Sequence, residues 1–145
     1  VGDGALRGEL EREASTLGIT DNVIFTGARN DIEEILRISN VCVLSSRREG
    51  FPMVLLEAMS TGIPCISTNV GCVNELITHE VGAIVPIEDS AALADAIATL
   101  YGKIDDLKRM GEKARKIIVE KYDINDVLTH YLNVLVDGNQ SGLYK

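Results

Sequence analysis

The chain has 145 residues, a formal net charge of −8, and a composition that is 46% hydrophobic and 25% charged. That describes one soluble globular domain rather than a disordered chain, and a pI near 4.7 argues against broad nucleic-acid binding or anchoring on anionic lipid. No apolar stretch approaches the length of a membrane span, and no signal-peptide pattern opens the sequence.

Val1-Gly2-Asp3-Gly4 leads into an amphipathic helix expected over Ala5 to Leu17 and ended by Gly18. A Gly-x-Gly before a helix can belong to a dinucleotide fingerprint. Here Gly2, Gly4 and Gly8 miss the Gly-x-Gly-x-x-Gly spacing and no strand precedes them, so a tight turn is the reading. Starting at Val1, on what reads as the end of a strand, the chain is expected to be an internal piece of something longer. Asn22 to Gly27, centred on Val23-Ile24-Phe25, reads as a buried strand, and Asp31 to Ile38 as a short helix. Ligands of open α/β sheets bind at the carboxyl ends of strands. The loop from Gly27 to Arg29 is therefore a candidate rim for a ligand, with a solvated surface arginine as the equal alternative.

Val41-Cys42-Val43-Leu44 is short and β-branched enough for a strand buried on both faces. A loop follows, then a helix whose start is marked by Pro52 and whose end is marked by Gly62 and Pro64. Glu49 falls in the loop, and Glu57 falls on the helix, roughly 7–8 Å beyond Pro52 at the standard rise. Between them the amides of Met53, Val54 and Leu55 are expected to lack intrahelical partners and, with the helix dipole, to form an anion site. Carboxylate, amide ring and second carboxylate in that order suit a sugar, a diphosphate and a ribose, because carboxylates accept from vicinal hydroxyls. Taken alone, two glutamates at this spacing fit a capped surface helix equally well. Val54, Leu55, Ala58 and Met59 share the face that can pack on a sheet, and Met53, Glu57, Ser60 and Thr61 share another.

Pro64 to Thr68 and Val81 to Pro86 complete four expected strands, separated by the loop Asn69 to Ile77 that holds Gly71, Cys72 and Glu75. A helix over Ala91 to Tyr101, capped by Ser90, presents Leu93, Ala96, Ile97 and Leu100 on one face. A charged helix over Lys103 to Glu120 carries Leu107, Met110, Ala114, Ile117 and Ile118 on one side, and a last helix covers Ile124 to Val136. Residues 137 to 145 read as a frayed, flexible tail. Strand and helix alternation makes this an α/β domain with a parallel sheet and flanking helices. Cys42, Cys65 and Cys72 form no CxxC, two of them lie in expected strands, and a reducing cytoplasm is the simplest reading. Nothing adjoining Cys72 would activate it. His79 and His130 share no spacing with a carboxylate cluster, so no metal site is expected.

Glu49-Gly50-Phe51-Pro52, followed by Leu56-Glu57-Ala58-Met59 and Gly62-Ile63-Pro64, resembles the retaining GT-B glycosyltransferases, in particular their family 4. The hallmark of that family is a Glu-x7-Glu motif in the carboxy-terminal, donor-binding domain. The resemblance runs from Val1 to about Val136, and it implies a partial Rossmann-like domain. The family's sheet has the order 3-2-1-4-5-6, and its first two strands would be absent here, leaving a gap between the strands at Val23 and Val41. By the same resemblance Glu49 is the catalytic-site residue that contacts donor-sugar hydroxyls near the reacting carbon. Gly50, Phe51, Pro52, Met53, Val54 and Leu55 form the segment whose amides hold sugar and diphosphate, and Glu57 binds the ribose. The Arg29 loop approaches the base. Gly71 lets the backbone approach the donor sugar, with Cys72 standing where a second glycine is usual.

The implied function is transfer of a sugar, with retention, from a nucleoside-diphosphate donor (a UDP-sugar, with a GDP-sugar as alternative) without metal or other cofactor. The acceptor is a glycan, lipid-linked or small molecule held by a missing N-terminal domain, and the arginine and lysine that the family adds from its first strand–helix segment would likewise lie upstream of Val1. The fragment alone is expected to be inactive. Envelope polysaccharide synthesis and a cytoplasmic place, peripheral to the inner face of the membrane, are the expected context. Arg47 and Arg48 read as a solvated pair, with Arg48 placed to orient Glu49. A non-catalytic nucleotide-sugar-binding module is the alternative function, and a dinucleotide-binding oxidoreductase domain ranks last.

Overall fold

A computed structural model describes residues 1–140 and divides the chain into two compact units, Val1–Glu34 and Ile35–Lys145. In the first unit, α1 (Arg7–Thr16) buries Ala14, and Gly18 turns the chain at a φ of 69°. The expected strand at Val23 does not form. Its only bridge among the described residues is antiparallel, between Gly2 and Gly27, and Ile24 is 84% exposed. A strand is defined by its ladder, and no other segment of this unit supplies a neighbour. The extended segment is instead fastened by the Gly2 amide, which donates to the Gly27 carbonyl at 2.9 Å, and by Arg7 Nη2, which donates to the Phe25 carbonyl at 3.1 Å. Helix α2 (Ile32–Arg37) runs across the boundary between the units.

The second unit is built on a three-stranded parallel sheet of β1 (Cys42–Leu44), β2 (Cys65–Thr68) and β3 (Gly82–Val85), in that order. Cys42 pairs with Cys65 and Cys65 with Gly82, so the three strands start level and their carboxyl ends emerge together. All four residues of β2 are buried, as a central parallel strand requires. β1 is an edge strand rather than one covered on both faces, and its Val43 is half-exposed. Gly82 is demanded by crowding: a Cβ there would lie 1.8 Å from the Cys65 carbonyl oxygen.

Between β1 and β2 lies α3 (Met53–Ser60), which buries Leu55, Ala58 and Met59 and exposes Met53 and Glu57, the division of faces expected from its sequence. It ends in a Schellman motif: the Gly62 amide donates to the Met59 carbonyl at 3.0 Å and the Ile63 amide to the Ala58 carbonyl at 2.9 Å. Gly62 takes the left-handed conformation this needs, with φ 81°. The loop after β2 folds into a one-turn helix, α4 (Val73–Leu76).

Helix α5 (Ser90–Tyr101) starts one residue earlier than expected. Asp89, not Ser90, is the cap, and its Oδ1 accepts from the Ala92 amide at 2.8 Å. Ile66, Val85, Leu100 and Leu107 form a core cluster against which Leu93 and Ala96 pack. Ala92 joins them, whereas Ile97 is turned 45% into solvent.

Ile104–Asp106 forms a 3₁₀ turn ahead of α6 (Leu107–Lys121), which buries Leu107, Gly111, Ala114 and Ile118 in one stripe. The last helix, α7 (Ile124–Gln140), continues past Val136, so residues 137–140 of the expected tail are helical. Residues 141–145 lie outside the described ones. Among the described residues no helix is long and apolar enough to cross a membrane.

Candidate functional site

The site is built where the carboxyl ends of β1 and β2 meet the start of α3. After Leu44 the chain loops out through Ser45 to Phe51. Pro52, buried and extended (φ −78°, ψ 92°), serves as the cap, so the helix begins at Met53, one residue later than expected. Proline has no N–H, so Pro52 sets the entry of the helix but offers a ligand no donor. Leu55 is also withdrawn from the expected amide set. Its N–H donates to the Pro52 carbonyl at 3.0 Å and its side chain is wholly buried. The tight first turn thus leaves Met53 and Val54 as helix amides with no acceptor among the described residues.

Glu49 is half-buried, and its Oε1 accepts from Ser46 Oγ at 2.7 Å. Arg48, beside it in sequence, is exposed and does not take this role. Arg47 instead reaches Glu88, with Nε and Oε1 3.0 Å apart, across an open depression of about 380 Å³ that Ser45, Thr68 and Leu93 also line. Thr68, the last residue of β2, donates Oγ1 to the Ser46 carbonyl at 2.6 Å, with the Leu44 carbonyl further off at 3.4 Å. Gly71 has φ 52° and presses on the Glu49–Gly50 peptide; a Cβ built on it would lie 2.4 Å from the Gly50 oxygen. Cys72 has φ −98°, a value open to any residue, so its replacement of a glycine carries no backbone strain. Gly50 is different again: an added Cβ would meet nothing within 4 Å.

The Glu57 carboxylate points from the exposed face of α3 and has no hydrogen bond or ion pair among the described residues. Phe51 packs on Tyr122, which closes α6, with ring centroids 6.0 Å apart at 53°. Burial first, then the nearby Glu75 and Cys72, push the Tyr122 phenol above its ordinary value. The ring pair therefore fastens the Glu49 loop beside the α4 turn. Arg29 lies in the first unit, where its guanidinium is engaged by the Asp31 carboxylate, Nε to Oδ1 at 2.7 Å. That pair raises the arginine and lowers the aspartate from their ordinary values.

Within the second unit, then, the fold brings together Glu49, Gly50, Phe51, the amides of Met53 and Val54, Glu57 and Gly71. It adds Ser46, Thr68 and Tyr122, which sequence reasoning missed. Ser46 could have been found: a serine three residues before a glutamate is a spacing at which the two groups bond locally. Thr68 and Tyr122 lie far from Glu49 in sequence and carried no such pattern.

The chain belongs to the family of glycosyl transferases group 1, whose model matches residues 1–117. It is 33% identical over 138 residues to N-acetyl-alpha-D-glucosaminyl L-malate synthase of Bacillus anthracis, covering 94% of this chain and 36% of that protein. Its fold is that of the GT-B glycosyltransferases. Sucrose-phosphate synthase from Thermosynechococcus elongatus superposes with a TM-score of 0.87 at 26% identity, over 95% of this chain and 35% of that one. Anabaena HepE in complex with UDP gives 0.84 at 25% identity, over 90% of this chain and 36% of that one. The chain thus spans about a third of the length of the relatives it matches, a partial domain of the GT-B architecture.

Proposed function

We propose that this chain is the donor-binding part of a retaining, family 4 glycosyltransferase that moves a sugar from a nucleoside diphosphate to an acceptor hydroxyl. The observation that carries the reading is the run along α3. A fixed carboxylate at Glu49 and two unpaired amides at Met53 and Val54 are followed by a free carboxylate at Glu57. Glu49 accepts from hydroxyls of the donor sugar. The amides, at the positive end of the helix dipole, take the diphosphate, and Glu57 accepts from the vicinal hydroxyls of ribose.

When the bond between the anomeric carbon and the phosphate oxygen breaks, the electron pair stays on the departing diphosphate. Donors already aimed at that oxygen stabilise the charge as it grows, and they need no metal to do so. The open space over Gly50 suits this use, since neither its backbone nor its packing calls for glycine. A UDP-sugar is the favoured donor, supported by the UDP bound in the HepE structure, with a GDP-sugar second. The acceptor, a glycan, lipid-linked or small molecule, is held outside this chain. Glycan or envelope polysaccharide synthesis on the cytoplasmic face of a membrane is the setting we assign.

Calorimetric titration of the full-length protein with UDP, GDP and UDP-glucose, beside Glu57→Ala, tests the reading. One nucleotide should bind, and the variant should lose roughly 1–3 kcal/mol, the worth of hydrogen bonds to a charged group. A Glu57→Ala protein that binds as well as the parent would sink the assignment. Binding without any sugar release would instead favour a non-catalytic nucleotide-sugar module.

A further inference from the structure

Glu49 is tied to the centre of the sheet through two hydroxyls in series. Thr68, at the end of the central strand and only 4% exposed, gives its single hydroxyl proton to the Ser46 carbonyl at 2.6 Å. Ser46 Oγ in turn donates to Glu49 Oε1 at 2.7 Å. Both distances lie in the range of good O–H···O bonds, and the second is charge-assisted. From the other side Gly71 abuts the carbonyls of Glu49 and Gly50, so the peptide cannot retreat. One carboxylate oxygen is thereby engaged from inside the protein, and no side chain among the described residues takes the other. A glutamate on an exposed loop would otherwise exchange between staggered rotamers.

We propose that Ser46 and Thr68 are positioning residues for Glu49, holding one carboxylate oxygen so that the other meets a hydroxyl of the donor sugar. The inference rests on the donor-site reading of Glu49 and deepens it. It assigns the pair to recognition of the sugar and leaves the nucleotide to the α3 amides and Glu57. The two contributions separate experimentally, because a free nucleoside diphosphate lacks the group that Glu49 touches.

The test uses the full-length protein with UDP and UDP-glucose as probes, and GDP and GDP-mannose as a second matched pair. Affinities are read by calorimetry and turnover by release of the nucleoside diphosphate. Ser46→Ala should lose on the order of 10–100-fold in kcat/KM for the nucleotide sugar, the scale of a small misplacement at a reacting centre. Its affinity for the free diphosphate should stay within about twofold, well inside the tenfold that one full step of 1.4 kcal/mol represents. Thr68→Val should show the same split more weakly, and Thr68→Ser, which keeps the hydroxyl, should restore the parent values. Equal losses for sugar and free diphosphate would mark a purely structural role and overturn the proposal. Glu49→Gln separates the two levels of the argument. If it leaves turnover unchanged, the donor-site reading fails. If it abolishes turnover while Ser46→Ala does not impair it, only the positioning role fails.

Discussion

Gly71 lies against Gly50 so closely that a Cβ on the first would stand 2.4 Å from the carbonyl oxygen of the second, and 2.7 Å from that of Glu49. The loop after β2 is thus the backing of the loop after β1, and Gly71 holds that place with φ 52°. Gly71→Ala meets two costs together: a left-handed conformation disfavoured for L-residues, and a backbone clash that flexible atoms cannot absorb. We expect a loss of about 1–3 kcal/mol in unfolding free energy, with turnover falling further than stability because Glu49 moves with its peptide. Urea unfolding and a turnover assay on the same preparation check this; a variant with the parent's midpoint and rate would refute the packing argument.

Gly50→Ala is the matched contrast. Its added methyl meets no protein atom within 4 Å, so the fold should barely respond, within about 0.5 kcal/mol as for an ordinary surface change. If a donor sugar lies over this peptide, the same methyl intrudes on it, and nucleotide-sugar affinity should drop at least about tenfold, a loss of 1.4 kcal/mol. Unchanged affinity for UDP-glucose together with an unchanged melting point would show that no ligand uses this space.

What the sequence made legible follows the range of the forces involved. Helix α3, its buried face of Leu55, Ala58 and Met59, and its end at Gly62 were readable because apolar spacing and turn residues act locally. The placement of Glu49 before the helix and Glu57 on it was readable for the same reason. The strand at Val23 was misread because a strand is a relation between segments: the apolar run is present and the ladder is not. The amide of Leu55 was misread because the choice between a 3₁₀ and an α first turn is set by packing of the residue itself. Ser90 and Asp89 are both good caps, and only geometry separates them. Ser46 carried a local signal in its spacing from Glu49, whereas Thr68 and Tyr122 reach the Ser46 carbonyl and Phe51 through tertiary structure alone.

The contact between α3 and α6 has a comparable point of closest approach away from the site. A Cβ on Gly111 would lie 1.8 Å from the Gly62 carbonyl oxygen, at the left-handed turn that ends α3. Alanine is otherwise the better helix former by about 1 kcal/mol, so propensity alone predicts that Gly111→Ala stabilises α6. Overpacking typically costs about 1–3 kcal/mol and here should prevail, because both contacting groups are backbone. A lower urea midpoint, with nucleotide affinity retained at low temperature, is the expected outcome. A raised midpoint would mean that the helices separate freely and that Gly111 is not what sets their distance.

Tyr122 gives the fold an alkaline dependence whose sign can be worked out. Its phenol is pushed up by burial and by Glu75 and Cys72, while in the unfolded chain it titrates near the ordinary value of 10. As pH rises past that value the unfolded state loses its proton first. The folded state then binds more protons than the unfolded one, and stability falls with pH through this window. The contribution is complete below the unfolded value and is lost as pH passes the raised, folded one. Tyr122→Phe keeps the ring against Phe51 and removes the titrating group, so its unfolding free energy should decline less than the parent's between about pH 9 and pH 11, the interval around an unperturbed tyrosine. Every other titrating group is common to both proteins, so the difference between the two curves isolates Tyr122. Parallel curves would mean that the phenol is as well solvated in the folded protein as in the open chain, and that packing against Phe51 does not bury it.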